Sequence, residues 1–305
     1  MNNPQRPSPA GVVHRAKRSS LAEALAAAET ALRGSDAPSL TAQVLLARVL
    51  DLTRTQVLAR PEQPLAPEPH SRFAGLVARA AAGEPLAYLT GQREFCGLEF
   101  WVNRHVLVPR PETELLVELA RALRPARLVD VGAGSGCLAI TLALLLPEAA
   151  VTAVDISPEA LELARLNAAR HHVAERITFT HSDLLAAWLP PTDPFATRPP
   201  AHRAPPSFDL IVANLPYIDT DELRRLPVAR HEPWSALDGG PGGLVLVQRL
   251  LRQAPRCLAR GGRLLLEIGA TQGPAAVALA RAAFPRAVVA LHQDLAGLDR
   301  VVSVS

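Results

Sequence analysis

The chain has 305 residues, 49% of them hydrophobic, enough to bury one large core and a second, smaller one. A net charge of +3 is compatible with an acidic or RNA partner without arguing for either, and a single lysine, Lys17, leaves arginine to carry nearly all the positive charge. Three scattered cysteines, Cys96, Cys137 and Cys257, make neither a disulfide framework nor a zinc pattern, which excludes a disulfide-stapled scaffold and fits a reduced, cytoplasmic setting.

Residues 1–19 hold Arg6, Arg15, Lys17 and Arg18 without an acid, and are expected to form a disordered, solvated tail. No secretory signal is expected from these residues. From Ser20 to about Ala82, leucine and alanine recur at spacings of three and four. This predicts short helices in "SLAEALAAAETALRG", "SLTAQVLLARVLDL", "TRTQVLA" and "HSRFAGLVARAAAG", a small bundle over 20–90. The period changes in "REFCGLEFWVNRHVLV", where alternating apolar residues predict a β-hairpin linker over 91–108. "PRPETELLVELARAL" (109–123) starts a helix, with Pro111 in its first turn and Glu112 and Glu114 at its positive end.

From 127 onward strands and helices alternate. "RLVDV", "AVTAVDI", "RITFTH", "FDLIVAN" and "GRLLLEIG" read as strands, with "AVVALHQ" and "DRVVSVS" closing the chain; "GCLAITLALLL", "SPEALELARLNAARH", a stretch at about 243–258 and "QGPAAVALARAAF" read as helices. Near-continuous apolar strands separated by helices imply an α/β fold with a mostly parallel sheet covered on both faces. The run "LAITLALLL" (138–146) is too short to span a bilayer, so no membrane partner is expected. At 190–207, "PPTDPFATRPPAHRAPPS" has seven prolines in eighteen residues and is expected to be an exposed insertion.

"LVDVGAGSGCLAI" places Gly132, Ala133, Gly134, Ser135 and Gly136 between a strand and a helix, where glycine allows a tight turn and close approach of a ligand to free amides. Asp155 ends the next strand, nineteen residues after Gly136, where a carboxylate can accept both hydroxyls of a ribose. The spacing is GxGxG rather than GxGxxG, and no Walker lysine follows, which weakens dinucleotide and ATP readings. Asp183, after the third strand, is placed to bind an adenine amino group or to be a plain loop aspartate. A ribose acid, an adenine acid and no phosphate grip together fit S-adenosyl-L-methionine. Downstream, "DLIVANLPYIDTDE" runs a buried strand into Asn214-Leu215-Pro216-Tyr217, either a turn or a pocket that grips a flat polar group.

The chain resembles the class I methyltransferases that modify the glutamine of the GGQ loop in bacterial peptide-chain release factors. The likeness spans about residues 20–305. It rests on "GEPLAYLTGQREFCGLEFWVNRHVLVPRPETE", "DVGAGSG", "NLPYI", "EPWSALDGGPGGL" and "GGRLLLEIG". It implies a Rossmann-like methyltransferase domain over 109–305 behind a helical substrate-docking domain, with S-adenosyl-L-homocysteine as product and no metal. Gly132 to Gly136 would surround the cofactor, Asp155 would bind its ribose, and Asp183 and Leu184 would meet its adenine, Leu184 standing where the family often has an aromatic. Asn214 and the backbone of Leu215 would hold the glutamine amide beside the cofactor, Pro216 would shape the pocket, and Tyr217 would pack beside the substrate. Arg110, Glu112 and Thr113 would line or brace the site, and Glu232 of "RHEPW" is a bracing carboxylate or a base. The family usually reads Asn-Pro-Pro-Tyr, and Asn-Leu-Pro-Tyr is similar to the ribosomal-RNA adenine dimethyltransferases. An adenine-N6 methyltransferase and a ribosomal-protein glutamine methyltransferase therefore stay open, although the chain lacks a basic platform interleaved with aromatics and direct nucleic-acid binding is not expected.

Overall fold

The computed structural model describes residues 19–190 and 207–305, so the expectations for the tail (1–18) and for most of the proline-rich insertion (191–206) lie outside the described residues. The chain divides into two compact units, residues 1–90 and 91–305.

In the first unit, α1 (Leu21–Ala31) opens with a capping box: Ser20 Oγ accepts from the Glu23 N–H at 3.2 Å, and the Ser20 N–H donates back to Glu23 Oε2 at 2.9 Å. α2 (Pro38–Leu50) begins at a proline, and α3 (Arg54–Leu58) repeats the box with Thr53 and Gln56. α4 (Pro67–Ala81) starts three residues before the helix expected from "HSRFAGL", because Pro67 is suited to a first helical turn. α5 (Leu86–Thr90), one turn long, carries too few residues to show a period. Leu21, Leu45, Leu46, Val57 and Phe73 are buried together as the core.

The second unit begins with the antiparallel hairpin β1 (Gln92–Phe95) and β2 (Leu98–Trp101). A 3-10 turn, Pro111–Thr113, precedes α6 (Glu114–Leu123), so the expected first turn is tighter than α-helical. Then come β3 (Arg127–Val131), α7 (Cys137–Leu145), β4 (Ala150–Asp155), α8 (Pro158–Arg170), β5 (Ile177–His181), β6 (Phe208–Ala213), the single turn α9 (Thr220–Leu223), α10 (Val245–Gln253), β7 (Leu258–Glu267), α11 (Gly273–Ala283), β8 (Val289–Gln293) and β9 (Asp299–Val304).

The seven strands stand in the order β5-β4-β3-β6-β7-β9-β8. The first five are parallel, and β9 runs antiparallel between β7 and β8. This is the strand arrangement of the class I methyltransferase fold. Both faces are covered, and the alternation of side chains along each strand assigns residues to them. Leu128, Leu210, Val212 and Leu265 pack with α6 and α7, while Val129, Val131, Ile211, Leu264 and Leu266 pack with α10 and α11. Reversal of chain order at β3 and β6 leaves a crevice at their carboxyl ends, where open α/β sheets take ligands. Among the described residues no helix is long and apolar enough to cross a membrane.

Candidate active site

A cavity of about 370 Å³ opens at that crevice. Its wall contains the loop after β3, the end of β4, the loop after β5, the loop after β6 and the segment before α6. The glycine loop is tied to the next strand: the Gly132 and Ala133 N–H groups both donate to Val154 O at 2.9 Å. Gly132 (φ +82) has Leu215 close above it, and a Cβ there would sit 3.3 Å from Leu215 Cδ2. Gly136 does different work from its neighbours. It lies outside the cavity wall, is left-handed at the start of α7, and passes Ala164 so closely that a Cβ would lie 3.0 Å from both Ala164 Cβ and Ile140 Cδ1. It is a packing glycine.

Asp155 faces the cavity. Its Oδ2 accepts from the Gly134 N–H at 2.8 Å and its Oδ1 from the Ser157 N–H at 2.9 Å. Burial pushes its carboxyl up, against those same backbone donors, which pull it down. Each carboxylate oxygen keeps acceptor capacity for a further donor, the chemistry a vicinal diol needs. Ser135 Oγ, also on the wall, is buried and among the described residues has no hydrogen bond of good geometry, with the Cys137 thiol as its near neighbour. These groups fit the ribose and backbone contacts of an adenosyl cofactor. Asp183 lies on the wall too, but Arg249 of α10 donates to its Oδ2 at 2.6 Å, a pairing that the sequence does not announce. Leu184, in the left-handed region at φ +53, lines the same end.

Asn214 follows β6 directly and is anchored from the segment before α6: its Nδ2 donates to Thr113 Oγ1 at 2.8 Å. Among the described residues no group donates to its amide oxygen. Leu215 is only 3% exposed and packs into the core beneath the loop, while among the described residues no group donates to its carbonyl. Pro216 lines the cavity; Tyr217 does not, and turns towards Glu267 of β7, its phenol pushed up to about 12 chiefly by burial. Tyr217 O accepts from Gln272 Nε2 at 2.8 Å. The loop is thus fixed at both ends. Beyond the residues expected from the sequence, the wall includes His105, Trp234, Ser235 and Asp238.

The bracing residues separate. Glu232, 4% exposed, accepts from Arg110 Nη2 at 2.6 Å and from the Val108 N–H at 3.0 Å. It is therefore engaged twice in holding the "VPRPE" segment. Arg110 and Thr113 reach the cavity, whereas Glu112 is exposed and does not line it. Among the described residues no group of three His, Cys, Asp or Glu could hold a metal ion.

Comparison with known proteins agrees in both units. The family model described as PrmC N-terminal domain matches residues 23–91, and the one described as Methyltransferase small domain matches residues 111–216. A release factor glutamine methyltransferase from Moorella thermoacetica is 43% identical over 88% of this chain and 91% of its own length. Another, from Neisseria gonorrhoeae, is also 43% identical, covering 88% of this chain and 93% of its own. Among solved structures, a ribosomal protein L11 methylase from Lactobacillus delbrueckii subsp. bulgaricus is 22% identical, with a TM-score of 0.45 over 67% of this chain and 83% of its own. At this identity and coverage, the chain belongs to the release factor glutamine methyltransferase family.

Proposed function

We propose that this protein transfers a methyl group from S-adenosyl-L-methionine to the side-chain amide nitrogen of the glutamine in the GGQ loop of bacterial peptide-chain release factors, in the cytoplasm. The observation that carries the reading is the anchoring of Asn214, whose amide nitrogen donates to Thr113 and whose oxygen is left to accept. Bound at the glycine loop, the cofactor supplies a methyl on a positively charged sulfur. The residues present do the rest. Asp155 and the backbone of Gly132 to Ser135 hold the nucleoside and methionine ends, and Asp183, with Leu184, meets the adenine.

A glutamine amide nitrogen is a poor nucleophile because its lone pair is shared with the carbonyl. Asn214 Oδ1 and the Leu215 carbonyl each accept one of its two N–H groups. Two aimed acceptors fix its direction of approach and favour the positive charge that develops on it. Leucine offers that carbonyl as well as proline would, and Pro216 still biases Leu215 towards extended backbone. The proton leaves to water after transfer, so Glu232 stays a brace for Arg110. In this reading the N-terminal helical unit is the docking surface for the release factor.

The test is transfer of labelled methyl to purified release factor, beside the same factor with its GGQ glutamine changed to alanine, ribosomal protein and ribosomal RNA. Label is expected on the intact factor alone. Label on the RNA but not on the factor would overturn the reading in favour of adenine methylation.

A further inference from the structure

Glu267 ends β7 beside the loop that carries the amide-binding residues. Ala213 pairs with Leu266 in the parallel ladder, so Asn214 and Glu267 follow on the next rung and leave the sheet on the same face. Glu267 is 0% exposed, and among the described residues neither of its oxygens has a hydrogen bond of good geometry. An unsatisfied carboxyl at that depth is costly and calls for a reason.

The groups around it supply one. Burial pushes Glu267 up to about 7, while the hydroxyls of Thr113 and Tyr217 act as its near donors and pull it back. Two further charges act on it: Arg300 on β9 lowers it and Glu112, beside Thr113, raises it. Arg300 is committed elsewhere, donating to Asp294 Oδ2 at 3.1 and 3.2 Å and to Ile268 O at 3.4 Å. Meanwhile Thr113 Oγ1 already accepts from Asn214, so its own proton must go to another acceptor. Glu267 is the acceptor at hand.

We propose that Glu267 is a positioning residue that fixes the polarity of the Asn214–Thr113 pair. A carboxylate only accepts. It takes the Thr113 proton, Thr113 can then only accept from Asn214, and the Asn214 oxygen is held towards the substrate amide. A protonated Glu267 can donate to Thr113 instead, which frees the pair to reverse and to present the Asn214 NH₂ to another NH₂. The Tyr217 phenol donates to the same carboxylate and holds the far end of the loop. The inference rests on Asn214 being the acceptor for the glutamine amide.

The experiment is methyl transfer to release factor as a function of pH with the wild-type enzyme and Glu267→Gln, whose side chain keeps the shape but can donate. The wild-type kcat is expected to rise with pH through about 7 to a plateau. Glu267→Gln is expected to lose that limb and to run roughly 10–100-fold below the plateau, with cofactor KM unchanged. Thr113→Val breaks the pair from its other side, and the double variant is expected to be no slower than the slower single one. A Glu267→Gln enzyme with the wild-type profile would overturn the inference. So would a uniform fall that keeps the limb, the mark of a merely structural role. Should Glu267→Gln not fold, Thr113→Val is scored by the same two criteria. Full activity in Asn214→Ala sinks the glutamine reading itself; an inactive Asn214→Ala beside a wild-type-like Glu267→Gln sinks only this inference.

Discussion

Among the described residues the Asn214 side chain has one hydrogen bond, from its nitrogen, and its oxygen is left to accept; in the proposed reading that division of labour decides what the site can hold. Replacing it with alanine removes the acceptor without touching the glycine loop or Asp155. Asn214→Ala is therefore expected to lower kcat by about 10²–10³-fold, a loss typical for one aimed polar contact at a reacting centre, while cofactor affinity measured by calorimetry stays near the wild-type value. Undiminished turnover would refute the role. Leu215 shows how far four letters can be read. Its side chain sits in the core against Gly132, and only its carbonyl is free, so exchanging the usual proline for leucine alters backbone stiffness rather than the bonding group. Glu267 is less legible than Thr113, which the resemblance already puts at the site: a glutamate after "LLL" reads as a strand end, and only the strand order puts it beside Asn214.

At the scale of elements, the loop after β6 is backed by the "DGGPGG" turn. The Ile218 N–H donates to Leu237 O at 3.1 Å, and the Gly239 N–H returns to Ile218 O at 2.8 Å. Gly243 is left-handed at φ +72, and a Cβ on it would collide with the Tyr217 carbonyl and with Gln272 Nε2, the group that holds that carbonyl. Gly243→Ala is accordingly expected to push the Tyr217 end of the loop outward. It should cost roughly 1–3 kcal/mol in denaturant unfolding and reduce kcat more than it raises cofactor KM. Wild-type stability and turnover together would show that the turn yields easily. Periodicity exposed the helices and core strands, since each buries a regular stripe. The 3-10 turns between 227 and 243 carry no period, and their place against the cavity comes from pairing with residues twenty positions earlier.

Among the described residues, three carboxyls, two buried and one half-buried, share a direction. Asp130 and Glu267 are pushed up to about 7 and Asp155 is also raised, each chiefly by burial. A folded-state value above the unfolded one means the native protein holds protons that the unfolded chain has lost. The stability they contribute is full below the unfolded carboxyl range, near pH 4, and is lost as pH rises through about 7. Asp219 and Asp294, both half-buried and lowered mainly by backbone donors, act in the opposite sense in the acid range. The melting temperature is thus expected to fall by roughly 5 °C between pH 5 and pH 8, and Glu267→Gln should flatten that fall. A curve unchanged by the substitution would show that Glu267 does not titrate in this window.

The adjacency of β3 and β6 has a consequence for how such an enzyme diversifies. Val131 and Ala213 are ladder partners, and the glycine loop and the Asn-Leu-Pro-Tyr loop begin one residue beyond each. In the proposed reading, the spacing between the methyl donor's seat and its acceptor's seat is therefore set by two hydrogen-bonded strands about 4.8 Å apart, which no side-chain exchange in the core can stretch. Reach is inherited from the backbone. What the rim residues are free to change is which molecule is offered to it.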